Sequence, residues 1–262
     1  MTTILVAGAL LAAGARIPAG ADVSPAPAPL ATPSNMPSST DAATVLEKYA
    51  DAIGGRSLIR SITTQESVYT FSLLGRTVVV QTTTKAPSKF LEVTQAEGGQ
   101  GKIVVGFDGK TAWSQDPSGV TTILSGSKRA EVISDAAGGN DSELFPDRWP
   151  TDVALKPNET HGQKSYVVLS ITAKGGLTRD LLLDAQTYQP VIERSVEDNV
   201  TAITVADSFS KGPLGELQPQ SMTTTRSDGF PQITATLQEV HDNGAVSDAI
   251  FTPPLGKGTE TI

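Results

Sequence analysis

The chain contains no cysteine, few aromatic residues (5%) and fewer basic than acidic residues. Without cysteine it has no disulfide, no thiolate metal site, no cysteine nucleophile and no lipid-modified N-terminal cysteine. The 20 Lys and Arg residues against 28 Asp and Glu residues give a net charge of −8. Nucleic-acid binders need a basic face, so a nucleic-acid partner is not expected. Strong attraction to an anionic membrane surface is not expected either.

Complete catalytic motifs are also lacking. Gly109-Lys110-Thr111 resembles the end of a phosphate-binding loop, but Val104 occupies the position of that motif's first glycine. Ser125-Gly126-Ser127-Lys128 matches the S-x-x-K of penicillin-recognising enzymes. Those enzymes also need S-D-N and K-T-G elements; Ser227-Asp228-Gly229 is only a near miss, and no K-T-G exists. We interpret Ser125 as a helix N-cap.

The two histidines, His161 and His241, belong to neither a G-x-S-x-G elbow context nor an H-E-x-x-H pair, and we interpret both as surface loop residues. Glu193 and Glu197 are spaced to share a strand face, which we interpret as ordinary acidic surface. The sequence therefore predicts a protein that is not an enzyme, with no catalytic residue, no cofactor and no metal site.

The N-terminus is typical of a secretory signal. The apolar run Ile4–Ala15 has about 12 residues, too few for the roughly 20 of a membrane-spanning helix. Ala19-Gly20-Ala21 then supplies small residues for cleavage after Ala21, although Met1-Thr2-Thr3 lacks the usual basic residue. We predict a signal peptide over residues 1–21 and an exported protein, periplasmic or secreted, that is not integral to the membrane. Residues 22–40 are rich in Pro, Ala and Ser, and predict a linker.

Residues 41–262 form the predicted domain. Apolar residues at helical spacing predict a helix over Asp41–Ile53, capped by Thr40 or Asp41 and ended by Gly54-Gly55. Two further helices are predicted at Ser57–Ile62 and Ser127–Ala137, the latter with Ala130, Ile133 and Ala137 facing inward.

Elsewhere the hydrophobic period is two, clearest in Gln232–Val240, and Asp108-Gly109 suits a type I′ hairpin turn. Leu144-Phe145-Pro146 and Trp149-Pro150 predict an irregular stretch, and strands are predicted again only after Thr160. The order of helix, hairpins, helix and hairpins predicts a mainly β domain. We expect a single, strongly curved antiparallel sheet of about ten strands with a few helices covering its concave face.

Three motifs resemble the LolA/LolB-like superfamily of periplasmic lipoprotein carriers. Lys85-Ala86-Pro87-Ser88-Lys89-Phe90 resembles its K-x-P-x-x-F junction, and Asp108-Gly109-Lys110-Thr111-Ala112-Trp113 its D-G-K-T-x-W hairpin. Asn243-Gly244-Ala245-Val246 with Phe251-Thr252-Pro253-Pro254 is similar to its C-terminal N-G-A-V…F-T-P-P signature. The start of the domain, Tyr49–Gly55, is similar to exported domains of the same superfamily.

The resemblance implies an unclosed β half-barrel with helices as a lid over a hydrophobic cavity that holds acyl chains. The candidate cavity residues are Tyr69, Phe71, Leu73, Val80, Leu91, Val93, Trp113 and Ile133. Alternatively, the same side chains simply fill a core. The carriers have an arginine before the proline of the junction that ties down the lid, and Ala86 stands there in this chain. Lid control of that kind is therefore not expected, and a lipoprotein is only one candidate ligand.

Three functions remain open. The first is an exported, non-enzymatic binding protein that holds a lipid-like or acyl-chain ligand, with a lipoprotein or lipid carrier of the cell envelope as one candidate. The alternative is an envelope interaction module that uses the same sheet without a ligand cavity. The third, a hydrolase, has only the incomplete motif at Ser125 in its favour. The expected partners are a lipid or acylated ligand and an envelope protein, and the protein is expected to be a monomer.

Overall fold

The computed structural model of the protein describes residues 41–96, 101–254 and 260–261. The predicted signal peptide and linker lie outside these residues. Three α-helices are described: α1 (Ala42–Ala52), α2 (Arg56–Ser61) and α3 (Gly126–Gly139). Helix α1 is capped as expected, because the Asp41 carboxylate accepts the backbone N–H of Thr44 at 2.7 Å. It ends before Gly54, whose φ of +130° suits glycine alone. A short 3₁₀ helix covers Asp248–Phe251.

The strands form one sheet of 14. The first six are β1 (Thr64–Leu73), β2 (Arg76–Lys85), β3 (Lys89–Ala96), β4 (Ile103–Phe107), β5 (Ala112–Gln115) and β6 (Thr121–Ile123). After α3 follow β7 (Thr151–His161), β8 (Lys164–Ala173), β9 (Thr178–Asp184), β10 (Pro190–Glu197), β11 (Val200–Lys211), β12 (Leu217–Arg226) and β13 (Ile233–Asp242). The two-residue β14 (Glu260–Thr261) pairs in parallel with β6, whereas β1 to β13 pair antiparallel.

The strand order is β14-β6-β5-β4-β3-β2-β1-β13-β12-β11-β10-β9-β8-β7. Two antiparallel meanders are thus joined through the pairing of β1 with β13, and no pairing of the two outer edges is found in the described part of the chain. The sheet is open, as expected, but the prediction of about ten strands was wrong. Strand β7 was not predicted, because strands were expected to return only after Thr160. It contains Pro157, which an edge strand tolerates, and a bulge between Lys156 and Glu159 absorbs it.

Helix α3 shows how the sheet bends. It contacts β3, β4 and β5 near one edge of the sheet and β8 near the other. Strands so far apart in the order reach one helix only if the sheet curves toward it. Phe90, Phe107 and Ala112 from the first meander therefore pack with Ile133 of α3 and Ala173 of β8. A second apolar core joins α1 and α2 to β8 and β9.

The C-terminal strap, residues 243–254, crosses the opposite face of the sheet. The Trp113 indole N–H donates to the Phe251 carbonyl at 2.8 Å, and the Asp248 carboxylate lies 2.8 Å from the ammonium groups of both Lys85 and Lys89. Lys85 also donates to the Val246 carbonyl at 2.7 Å. All three motifs that carry the resemblance therefore meet in this strap, where they hold the C-terminus to the sheet.

The hairpin at Asp108 is confirmed, although its turn type is not. Only Gly109 of the pair has positive φ (+95°), whereas a type I′ turn needs positive φ at both central residues. Instead, the Asp108 carboxylate accepts the backbone N–H groups of Lys110 and Thr111 at 2.8 and 2.6 Å. The side chain thus stabilises the turn in place of a second left-handed residue.

Candidate ligand-binding site

A cavity of about 260 Å³ lies between α3 and strands β9 to β12. Its volume is just below the roughly 300 Å³ at which small-molecule pockets usually begin. Eight of its 14 lining residues are charged, although the surface that the lining exposes is mostly apolar. The lining comprises Lys128, Glu131, Ser134, Asp135, Leu177, Thr178, Arg179, Glu193, Ser195, Glu197, Asp198, Val200, Ala202 and Arg226. The cavity suits a small polar group better than a whole lipid chain.

The two walls of the cavity follow from the periods of their elements. On α3, Lys128, Glu131 and Asp135 are spaced three and four residues apart, so they share one face of the helix. Glu193, Ser195 and Glu197 alternate along β10 and so share one face of the sheet. The strand register extends that face, because Ser195 pairs with Arg179 on β9 and with Ala202 on β11.

The floor of the cavity contains a buried ion-pair network around Arg179. Its guanidinium donates to Glu193 at 2.6 Å and to Glu143 at 3.2 Å, and the Tyr49 hydroxyl donates to Glu143 at 3.4 Å. Burial lowers the pKa of Arg179, but the two carboxylates outweigh it and the net shift is upward. Burial raises the pKa of Glu193 although Arg179 opposes this. The network thus links α1 to the sheet and places one cation against two carboxylates.

The helix wall is tied to the sheet by Lys128. Its ammonium lies 3.3 Å from the Glu131 carboxylate on the same helix and 3.1 Å from Glu197 on β10. Burial raises the pKa of Glu131, the nearby Glu197 raises it further, and Lys128 opposes both. This cation, like Arg179, is therefore shared between two carboxylates.

Asp135 differs from the other charged groups of the cavity that are not fully exposed. In the described part of the chain, its carboxylate has neither a hydrogen bond nor an ion pair. Burial raises its pKa well above the ordinary value, and Glu131, Glu92 and Glu193 raise it further, against the weaker effect of Arg179. Asp135 is thus a carboxyl group at a cavity wall for which the fold supplies no partner.

An apolar cluster continues the same face of the sheet beyond the cavity. Along β12, Arg226 lines the cavity, Thr224 follows, and Met222 belongs to the cluster, roughly 14 Å from Arg226 along the strand. Thr224 and Thr204 share a hydrogen bond of 2.9 Å between the two regions. The cluster contains strand residues only: Tyr69, Phe71, Val80, Ala206, Met222, Ile233, Ala235 and Leu237. Charged and apolar surfaces are therefore contiguous on the face toward α3.

The structure divides the eight candidate residues between several places. Tyr69, Phe71 and Val80 are buried in the apolar cluster, and Leu73 packs against it. Ile133, on α3, is buried in the core between that helix and the sheet.

The other three lie on the face of the strap. Leu91 pairs with Gly106 and Gly106 with Trp113, so both side chains point away from Phe90 and Phe107, which pack under α3. Val93 shares this face by its spacing from Leu91. None of the eight lines the charged cavity, and a role for them in ligand binding stays a prediction.

The residues of the cavity were missed by sequence reasoning, with one partial exception. Glu193 and Glu197 do share a strand face, but the interpretation as surface was wrong for Glu193, which is buried. Ser125 directly precedes α3 yet makes no capping hydrogen bond. The histidines lie on strands and not in loops: His161 contacts Glu159 at 3.0 Å, and His241 is exposed on β13.

Two further observations bound the chemistry of the described residues. No three His, Cys, Asp or Glu side chains among residues 41–96, 101–254 and 260–261 are arranged to hold a metal ion. Within those ranges, no helix is long and apolar enough to cross a membrane.

No family model matches the sequence, and no curated protein matches it. Solved structures do match. A LolA superfamily protein from Nitrosomonas europaea is 16% identical with a TM-score of 0.59, covering 82% of this chain and 98% of its own. A DUF1329 family protein from Desulfovibrio piger is 14% identical with a TM-score of 0.54, covering 81% and 98%. An outer membrane lipoprotein-sorting protein domain from Vibrio parahaemolyticus is 8% identical with a TM-score of 0.53, covering 79% and 94%. The resemblance to the LolA/LolB-like superfamily is therefore confirmed at the level of the fold.

Proposed function

We propose that the protein is an exported, non-enzymatic binding protein of the cell envelope that carries a lipid-like ligand on the helix-facing side of its open sheet. The observation that carries this proposal is the contiguity of the charged cavity with the apolar cluster. An amphipathic ligand needs both surfaces, one for its head group and one for the start of its chain. The LolA-like fold of the neighbours supports an envelope role.

In this proposal the head group occupies the cavity beneath α3, and the chain lies toward Met222 and Tyr69. The side chains of the apolar cluster fill the space between them, with Tyr69 only 3% exposed. The chain therefore enters only when these side chains and those packed on them, such as Leu73 and Phe209, move apart. Helix α3 serves as the cover of the concave face.

Native mass spectrometry of the protein purified from an envelope extract without detergent tests the proposal. We expect an additional bound mass that is lost when the protein is denatured. Ala202→Trp places an indole in the cavity and should abolish the bound mass. The matched control, Val196→Trp, lies on the exposed face of the neighbouring strand and should retain it. A wild-type protein that is consistently empty and binds no added amphiphile contradicts the proposal.

The filled apolar cluster also favours a second candidate, the envelope interaction module without a lipid cavity. This function predicts an empty protein in native mass spectra. It also predicts that cross-linking in the envelope captures one protein partner, through contacts that Ala202→Trp does not disturb.

A further inference from the structure

The charges around the cavity do not balance. Its lining contains five carboxylates, Glu131, Asp135, Glu193, Glu197 and Asp198, and three cations, Lys128, Arg179 and Arg226. All three cations are already engaged with carboxylates of the chain, since Arg226 contacts Asp228 at 2.6 Å outside the lining and Arg179 also contacts Glu143. Negative charge is therefore in excess where water is partly excluded, and such an excess is costly unless a cation joins it or a carboxyl group is protonated.

The excess of negative charge is clearest at Asp135. If it is ionised, its carboxylate lacks a cation within hydrogen-bonding distance; if it is protonated, its hydroxyl lacks an acceptor in the described part of the chain. Neither form is satisfied by the protein, although the residue is half-buried. The carboxyl group lies at the wall of a 260 Å³ cavity, so a ligand can supply the missing partner.

The chemistry of that partner follows from the arrangement of the acids. They are distributed over α3, β10 and the β10–β11 turn, and no three described acidic or histidine side chains converge as metal ligands do. A compact metal ion therefore does not fit, whereas an organic ammonium with N–H donors does. An ammonium at the end of an apolar chain also matches the contiguity of the cavity with the apolar cluster.

We propose that the cavity selects a ligand with a cationic, amine-bearing head group, and that Asp135 is its counter-ion. This inference rests on the proposed function, since it names the class of head group that the carrier accepts. Glu131 and Glu193 flank the ammonium, and Arg179 repels it only weakly because its own charge is already shared by Glu193 and Glu143.

Three probes of one chain length separate the inference from the proposed function: dodecylamine, which is cationic at neutral pH, dodecanol and dodecanoate. Titration calorimetry below their aggregation concentrations measures each affinity. We expect dodecylamine to bind at least about tenfold more tightly than dodecanol, as close charge pairs do when partly desolvated. Equal binding of dodecylamine and dodecanol overturns the charge selection but leaves the carrier function intact. Binding of none of the three overturns both.

Two variants test whether Asp135 causes the preference for dodecylamine over dodecanol. Asp135→Asn should reduce dodecylamine affinity to that of dodecanol, whereas Asp198→Asn, which removes an exposed acid of the lining, should leave the preference in place. An unchanged preference in Asp135→Asn overturns the assignment.

Ser195→Lys tests the same idea if Asp135→Asn fails to fold. It introduces an ammonium from the floor of the cavity, and should raise the melting temperature above that of Ser195→Met while abolishing dodecylamine binding. Dodecylamine binding retained at wild-type affinity in Ser195→Lys contradicts the inference.

Discussion

Arg179 offers the sharpest test of the buried charges. Replacing it by methionine preserves much of the side-chain volume but removes the only cation within 4.0 Å of Glu143 and Glu193 in the described chain. Both carboxylates are almost completely buried. Removing one partner of a buried ion pair typically costs about 3–5 kcal/mol, because the remaining charge is left without compensation. We expect Arg179→Met to lose that much of its free energy of unfolding at neutral pH.

Urea unfolding followed by circular dichroism measures this loss, and Arg194→Met is the matched control. Arg194 on the adjacent strand also contacts two carboxylates, Glu159 and Asp180, each at 2.8 Å, but Arg194 and Glu159 are 19% and 22% exposed and Lys156 stays paired with Asp180 at 2.7 Å. Its loss should cost only about 1 kcal/mol, as for other solvent-screened pairs. Equal losses in the two variants, or a loss below about 1 kcal/mol for Arg179→Met, refute the reasoning about burial.

The stability loss of Arg179→Met should depend on pH, and the direction of that dependence can be worked out. Burial holds the pKa of Glu193 in the folded protein above its ordinary value of 4.5, with Arg179 opposing the shift. Stability from a group with a raised pKa is present at low pH and is lost as the pH rises through the folded value. Without Arg179 the pKa of Glu193 rises further, so the deficit of Arg179→Met should shrink between about pH 7 and about pH 5. A deficit that grows on acidification contradicts this account.

Three further outcomes are expected. Gly106→Ala should lose about 1–3 kcal/mol of unfolding free energy in urea, because a Cβ there would overlap the Trp113 ring. Asp248→Asn should lower the melting temperature at neutral pH; hydrogen bonds from two lysines depress the pKa of Asp248 from 3.8 to about 2, so the difference should vanish as the pH falls through that range. Thr204→Val alone should cost about 1–3 kcal/mol by orphaning Thr224, whereas the double Val variant should be nearly neutral.

The secondary structure was largely accessible from the sequence because hydrophobic period is a local property. The helix over Asp41–Ile53 and the strand over Gln232–Val240 are confirmed within a few residues. Strand β7 was not accessible in this way. It lies at the edge of the sheet, its exposed residues dilute the alternation, and it contains Pro157, which is unfavourable inside a sheet.

The site was less accessible, and β3 shows the reason. Its apolar residues Leu91 and Val93 alternate with Glu92 and Thr94, so the period alone predicts that the apolar pair faces inward. The opposite holds: Glu92 and Thr94 are the buried pair on the face toward α3. The apolar pair lies on the face of the C-terminal strap, whose 3₁₀ helix contacts β3. When both faces of a strand are covered, its own sequence does not indicate which face packs against polar neighbours.

The role of the polar face of helix α3 was missed for a related reason. Ile133 and Ala137 face the core as expected, which assigns Lys128, Glu131 and Asp135 to solvent under the usual amphipathic pattern. The sheet bends around the helix and meets this polar face as well, through β9 to β12. The curvature depends on the pairing of thirteen strands over the whole chain. A short segment of the sequence therefore cannot show that the sheet also lies opposite the polar face of a helix.

At the junction where the superfamily that the chain resembles has an arginine, this chain has Ala86, and other contacts tie α3 to the sheet. In the superfamily that the chain resembles, an arginine at this junction ties down the lid; here Ala86 only donates its backbone N–H to Thr63 at 2.8 Å. One contact that ties α3 to the sheet across the cavity is that of Lys128 with Glu197, and the hydrogen bonds between the Ser134 hydroxyl and the Leu177 backbone are another. A cationic head group would compete with Lys128 for that carboxylate and for Glu131. Under the proposed function, ligand charge therefore acts directly on one of the contacts that hold α3 to the sheet.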